Sequence, residues 1–217
     1  MLEVRGARQV CPRALRQVAC VELAKVGVLM RSRPTSRALP PTWLVGAKVR
    51  LRAIEPEDVP MLHQWINQSP ARDWLMTRLP LSRENERAWA ASAAVSPATP
   101  TFVVQTRTGK DIGVIGLTLH GARAELGIAL HEPRYWSGGY GTDAVQTLVD
   151  GAFRALPLLR IELIVFPDNV RAIRCYEKAR FSKEGVLRAR EYRRGKYQDV
   201  VIMSILHEEW RRGRGKD

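Results

Sequence analysis

The chain is 217 residues long, 45% hydrophobic and 26% charged, which allows one domain with a substantial core plus a short extension. Its formal charge of +13 sits mainly at the ends: residues 1–46 hold eight Lys/Arg against Glu3 and Glu22 (+6), residues 211–217 hold +3, and 47–210 keeps +4. So mild a charge on the central stretch argues against a nucleic-acid surface, and the basic ends read as solvated tails.

Cys11, Cys20 and Cys175 are too few and too scattered for a disulfide framework, and neither they nor the four histidines have metal-site spacing. A reducing compartment, the cytoplasm, and no metal are expected. The most apolar early run, Val18 to Met30, is short and contains Glu22 and Lys25, so no membrane span is expected. Residues 1–46 read as a basic extension without a fold of its own, 47–210 as the folded domain and 211–217 as a tail. The Arg-rich start has some transit-peptide character, and translation from Met30 is an alternative start. Nothing in the pattern separates a monomer from a homodimer.

Along the domain, Val49, Leu51 and Ala53 alternate with Arg50 and Arg52, the pattern of a half-buried strand. Glu55-Pro56-Glu57-Asp58 supplies proline and acids for a first helical turn, and Met61, Leu62, Trp65 and Ile66 follow at helical spacing. A second helix is expected from Ser82, with Glu84 and Glu86 in its first turn and Trp89 as apolar anchor. Trp74, Leu75 and Met76 lie on the connection between them, either as core or as the rim of an acceptor pocket. Three β-type runs, 102–106, 112–119 and 124–130, separated by glycine turns, predict an antiparallel meander.

Then comes Trp136-Ser137-Gly138-Gly139-Tyr140-Gly141-Thr142-Asp143-Ala144, a glycine-rich loop running into a helix striped by Val145, Leu148, Val149, Ala152 and Phe153. Glycines reach positive φ and let backbone N–H groups close around a ligand, and a helix N-terminus adds unpaired N–H groups and a positive dipole end. The loop therefore predicts a phosphate-bearing ligand. It also satisfies G-x-G-x-x-A, but His131-Glu132-Pro133-Arg134-Tyr135 separates it from the strand that a dinucleotide fingerprint must follow directly. Residues 159–166 read as a buried parallel strand. Asp168 or Asn169 caps a helix to about Ala179, and strands from Phe181 to Leu187 and from Val200 to Leu206 close the domain around a basic loop, 188–196. The order is βααβββαβαββ, an α/β domain with a mixed, mostly antiparallel sheet.

The glycine loop, followed thirty residues later by Asn169-Val170-Arg171-Ala172-Ile173-Arg174-Cys175-Tyr176-Glu177-Lys178-Ala179-Arg180-Phe181, resembles the GNAT superfamily of N-acetyltransferases, in particular the branch of ribosomal-protein N-terminal acetyltransferases. The resemblance covers about 47–207. It implies acetyl-CoA as co-substrate and a sheet whose two central parallel strands splay apart to admit the pantetheine arm. Backbone groups of Ile128, Ala129 and Leu130 would pair with that arm. Trp136, Ser137, Gly138, Gly139, Tyr140, Gly141 and Thr142 would form the pyrophosphate loop, with Asn169 and Arg174, and also Arg134 and Arg171, near the nucleotide. It implies Tyr176 as the proton donor to the departing thiolate.

The attacking amine must lose a proton. Glu125, in the strand before the loop, is the candidate base, with its neighbours Ala124 and Leu126 facing the other way; His120 and His131 are weaker alternatives. Arg180 stands where the family commonly has glycine; if that position needs positive φ, arginine costs about 1 kcal/mol. The acceptor is expected to be a protein N-terminus or a small amine. A non-catalytic acyl-CoA-binding regulator is the competing reading.

Overall fold

The computed structural model describes residues 42–76 and 79–213. The basic extension therefore lies outside the described residues except for its last five positions, and the tail except for Arg211, Arg212 and Gly213. Thr42–Val45 (β1) already pairs with Val49–Ala53 (β2), so the sheet begins before residue 47. The helical run after Glu55 begins as a 3-10 turn, Pro56–Asp58, and becomes α1, Val59–Gln68. Ser82 caps α2, Arg83–Val95, by accepting the Asn85 N–H. The meander is Thr101–Thr106 (β3), Asp111–His120 (β4) and Arg123–Leu130 (β5), with Gly109 and Gly121 at positive φ in its turns. Then follow α3 (Tyr140–Ala155), β6 (Arg160–Val165), α4 (Val170–Lys178), β7 (Ser182–Arg193), β8 (Lys196–Leu206) and α5 (His207–Arg212).

Among the described residues the eight strands form one sheet in the order β1-β2-β3-β4-β5-β6-β8-β7, antiparallel throughout except for β5 against β6. One face carries α3 and α4: Val145, Leu148, Val149 and Phe153 pack with Ile173 and Tyr176 onto Leu51, Ile115, Leu126 and Leu163. On the other face α1 and α2 bury Leu62, Trp65, Ala90 and Ala93 against Val103. Two polar ties fix these layers. Arg52, 4% exposed, pairs with Asp58 (2.7 Å) and Asp111 (2.8 Å), joining β2 to the start of α1 and to β4. Asp143, in the first turn of α3, accepts the N–H groups of Ala47 (3.0 Å), Lys48 (2.8 Å) and Val49 (2.9 Å). Gly46 permits that approach, since a Cβ there would stand 2.5 Å from the Asp143 carboxylate.

The basic stretch 188–196, expected as a loop, is instead the tip of the β7–β8 hairpin, turning at Arg194-Gly195. The register slips between Leu187 and Glu191, where Ala189 takes φ 49° and donates its N–H to Asp199. A bulge of this kind breaks the two-residue alternation that marks a strand in sequence, and β7 is an edge strand solvated along nearly its whole length.

Candidate active site

The parallel pair β5/β6 is joined only at its beginning: Arg123, Ala124 and Glu125 lie beside Arg160, Ile161 and Glu162, and beyond Glu125 the strands part. A fork opens there. The His131 N–H donates to the Ile112 carbonyl on β4 (2.9 Å), and the alternation of an antiparallel ladder then commits Ala129 to β4 as well. Ile128 and Leu130 are left with their polar groups turned to the gap. The expectation that three consecutive residues serve the pantetheine arm is thereby corrected. Ile128 and Leu130 can do so, whereas the N–H and C=O of Ala129 are turned to β4, although the residue lines the cavity. The Leu130 carbonyl also accepts the Trp136 indole N–H (2.8 Å), which braces the start of the glycine loop against the fork.

The loop itself is a 3-10 turn, Pro133–Tyr135, followed by two left-handed residues, Ser137 (φ 61°) and Gly139 (φ 83°). Gly138 has no positive φ; Ser137 takes the strained position instead. Gly139 is the N-cap of α3, and the first bond of the helix runs from the Asp143 N–H to its carbonyl (3.0 Å). The N–H groups of Tyr140, Gly141 and Thr142 therefore precede the helical ladder and are available to an anion. Gly141 allows α4 to approach: a Cβ there would lie 3.3 Å from the Cys175 sulfur, which also accepts the Thr142 hydroxyl (3.5 Å).

Cations surround the loop. Lys48 donates to the Gly138 carbonyl (2.8 Å) and lies over the Tyr140 ring, and the Arg171 guanidinium stacks on Trp136 at 3.7 Å. Lys48 was not legible in the sequence, being ninety residues away from the loop it joins. Arg174 is exposed and lines the cavity beside Arg171. Arg134 turns outward to Glu132 (3.6 Å). Asn169 caps α4 by accepting the Ala172 N–H (3.3 Å), so its side chain positions the helix.

Tyr176 is 8% exposed and lines the cavity, and burial beside Cys175 pushes its phenol above the usual tyrosine range. It thus keeps its proton at neutral pH. Its place is set by the end of α4: the Phe181 N–H bonds to the Tyr176 carbonyl (3.0 Å) and the Arg180 N–H to that of Glu177 (2.9 Å), with the rings of Tyr176 and Phe181 6.1 Å apart. This is a Schellman closure, and Arg180 at φ 73° occupies the position where glycine was expected to be needed.

Glu125 is exposed at the apex of the fork, on the face opposite the buried Ala124 and Leu126, and lines the same cavity as Tyr176. The histidine alternatives fall away as bases. His120 is exposed at the β4–β5 turn, outside the cavity. His131 is 6% exposed, stacks on Trp65 (5.0 Å between centroids), shares a hydrogen bond with the Ser69 hydroxyl (2.9 Å), and burial lowers its pKa to about 4.

The cavity has a volume of about 1060 Å³ and continues from the loop and fork to the face under α1 and α2. That is room for more than a pantetheine arm. The far half is walled by Trp65, Trp74, Leu75, Met76 and Trp89, so the connection after α1 is a pocket rim. Trp89, expected as a core anchor, is 41% exposed and faces the cavity. The β7–β8 tip closes over this half: Arg194 pairs with Asp73 (2.8 Å), and Arg193, bonded to Asp168, lies over the rings of Phe166 (4.0 Å) and Trp74 (4.9 Å). Glu86, 4% exposed, also lines it, and its position in the first turn of α2 gave no hint of that in sequence. Among the described residues no cluster of His, Cys, Asp and Glu could hold a metal, and no helix is long and apolar enough to cross a membrane.

A left-handed glycine before a helix, uncommitted N–H groups and a fork with free strand edges fit a CoA thioester: pyrophosphate at the helix, arm in the gap. Comparisons with known proteins agree. The acetyltransferase (GNAT) domain family matches residues 48–182. The N-acetyltransferase p20 of Bacillus licheniformis is 30% identical over 179 residues, 77% of this chain and 97% of that protein. The spermidine N(1)-acetyltransferase of Escherichia coli K12 is 30% identical over 176 residues, 75% of this chain and 88% of that one. Among solved structures, spermidine N-acetyltransferase from Vibrio cholerae, in complex with CoA and spermine, superposes with a TM-score of 0.69 at 26% identity, over 75% of this chain and 97% of that chain. With the domain match spanning most of the sheet and both motif stretches inside it, the chain belongs to the GNAT family of acetyltransferases and uses acetyl-CoA.

Proposed function

We propose that the protein transfers the acetyl group of acetyl-CoA to the primary amine of a small cationic acceptor, by direct attack in a ternary complex. The observation that carries this reading is the single cavity joining the glycine loop and fork to a half walled by aromatic rings and by two carboxylates, Glu86 and Glu125. The N–H groups from Gly138 to Thr142 hold the pyrophosphate, with Lys48, Arg171 and Arg174 at its flanks and α4, capped by Asn169, behind it. Ile128 and Leu130 offer the arm a strand edge.

Within that arrangement each residue has one task. Glu125 takes the proton of the incoming ammonium, through water, so that a neutral amine attacks. Backbone N–H groups carry the charge that develops on the carbonyl oxygen. Tyr176 gives its proton to the departing sulfur; a thiolate leaves readily, so this help is modest. The carboxylates and the likeness to spermidine acetyltransferases favour a small cationic amine over the protein N-terminus that the ribosomal-protein branch would imply. The cysteine pattern supports a reducing, cytoplasmic setting. The test is mass spectrometry of products after incubation with acetyl-CoA and a panel of diamines, monoamines and peptides. The reading expects acetylated diamine with release of free CoA. Acetylated peptide N-termini with untouched diamines would contradict it.

A further inference from the structure

The cavity contains a carboxylate that the transfer step does not use. Glu86 projects from the first turn of α2, is 4% exposed and lines the far half, while no hydrogen bond or ion pair reaches its carboxylate among the described residues. Removing a carboxylate from water costs several kcal/mol unless a cation or donors compensate. His63, bonded through Nε2 to the Leu81 carbonyl (3.0 Å), acts on Glu86 electrostatically and lowers its pKa, but burial outweighs it and holds the Glu86 carboxyl above the usual range. The cavity wall also carries Leu62, Trp65, Met76 and Trp89. Such a lining suits an alkyl chain and, through its ring faces, a cation.

We propose that Glu86 is the acceptor-recognition group, receiving a second cationic centre of a linear di- or polyamine while the terminal amine stands at the thioester. This rests on the acetyl-transfer reading and narrows it to acceptors with two separated positive charges. The cavity volume of about 1060 Å³ accommodates both the arm and such a chain.

The probes are 1,4-diaminobutane and n-butylamine, equal in carbon count and differing by one ammonium. A charge-assisted contact should favour the diamine in kcat/KM by about tenfold or more. Glu86→Gln should abolish that preference through the diamine KM, with kcat changed less than about twofold, and Glu86→Asp should restore part of it. Calorimetric titration of 1,4-diaminobutane into the CoA-saturated protein should give the same order without turnover, and a cooperative thermal transition that CoA raises certifies the fold of each variant. An unchanged preference in Glu86→Gln, or an equal loss with both amines, overturns the assignment. Acetylation of neither amine would refute the transfer reading separately. The titration then decides Glu86 by itself: diamine binding lost in Glu86→Gln upholds it, and binding retained there or absent from the wild type overturns it.

Discussion

Acidification should destabilise the protein through His131. The ring is 6% exposed, stacked on Trp65 and held to Ser69, and burial lowers its pKa from 6.5 to about 4. The unfolded chain takes up a proton on this histidine as pH falls through 6.5, but the folded protein does not until about 4. The neutral form is the one the fold accommodates, so stability from this group is complete above 6.5 and is lost progressively down to about 4. The full difference corresponds to about 3 kcal/mol, a large share of the stability of an ordinary domain. Urea unfolding at constant ionic strength, from about pH 7 to about pH 4.5, reads it directly. Glu86 contributes with the opposite sign, since its raised pKa favours the folded state as pH falls. Subtracting the profile of His131→Gln removes that and every other carboxylate contribution. The wild type should lose more stability than His131→Gln by about 2–3 kcal/mol over this range. A difference between the two proteins that stays constant with pH would refute the reasoning.

Arg180→Gly should raise stability by about 1 kcal/mol, because φ 73° suits glycine and strains arginine; thermal unfolding measures it, and an equal or lower midpoint contradicts it. Gly139→Ala should weaken acetyl-CoA binding by about tenfold, since φ 83° at the N-cap resists a Cβ and the N–H cradle must shift. Calorimetric titration checks this, an unchanged Kd being the contrary result.

The sequence made most of the domain legible where one face of an element is buried and the other solvated. The alternation in Val49–Ala53 and the stripe from Ala144 to Phe153 are of this kind. It failed at the edges. β1 follows directly on a proline pair, and the β7–β8 tip is an exposed, bulged, arginine-rich hairpin whose pairing comes from backbone rather than from an apolar face. The cofactor half of the site was legible because its parts are local: a loop and the helix after it, and Tyr176 within one helix with its Schellman end. The acceptor half was not. Glu86 and His131 reach the cavity from separate segments, and only the packing of α1 and α2 against the fork reveals which of their faces turns inward. Ser137 shows a subtler limit: a glycine pair follows it, yet the left-handed residue besides Gly139 is the serine and not Gly138.

The central claim is that the fork and glycine loop bind acetyl-CoA and that Tyr176 acts on the departing thiolate. The most direct measurement is Tyr176→Phe against wild type, with acetyl-CoA Kd by titration and kcat by thiol release with a diamine acceptor. The account predicts an unchanged Kd and a kcat lowered by about 10²-fold, the low end for a general acid because the leaving group is already good. It predicts no loss of the wild-type rate to tyrosine ionisation near neutral pH, since burial keeps the phenol protonated. Full activity in Tyr176→Phe, or a lost affinity for acetyl-CoA with kcat intact, would contradict it.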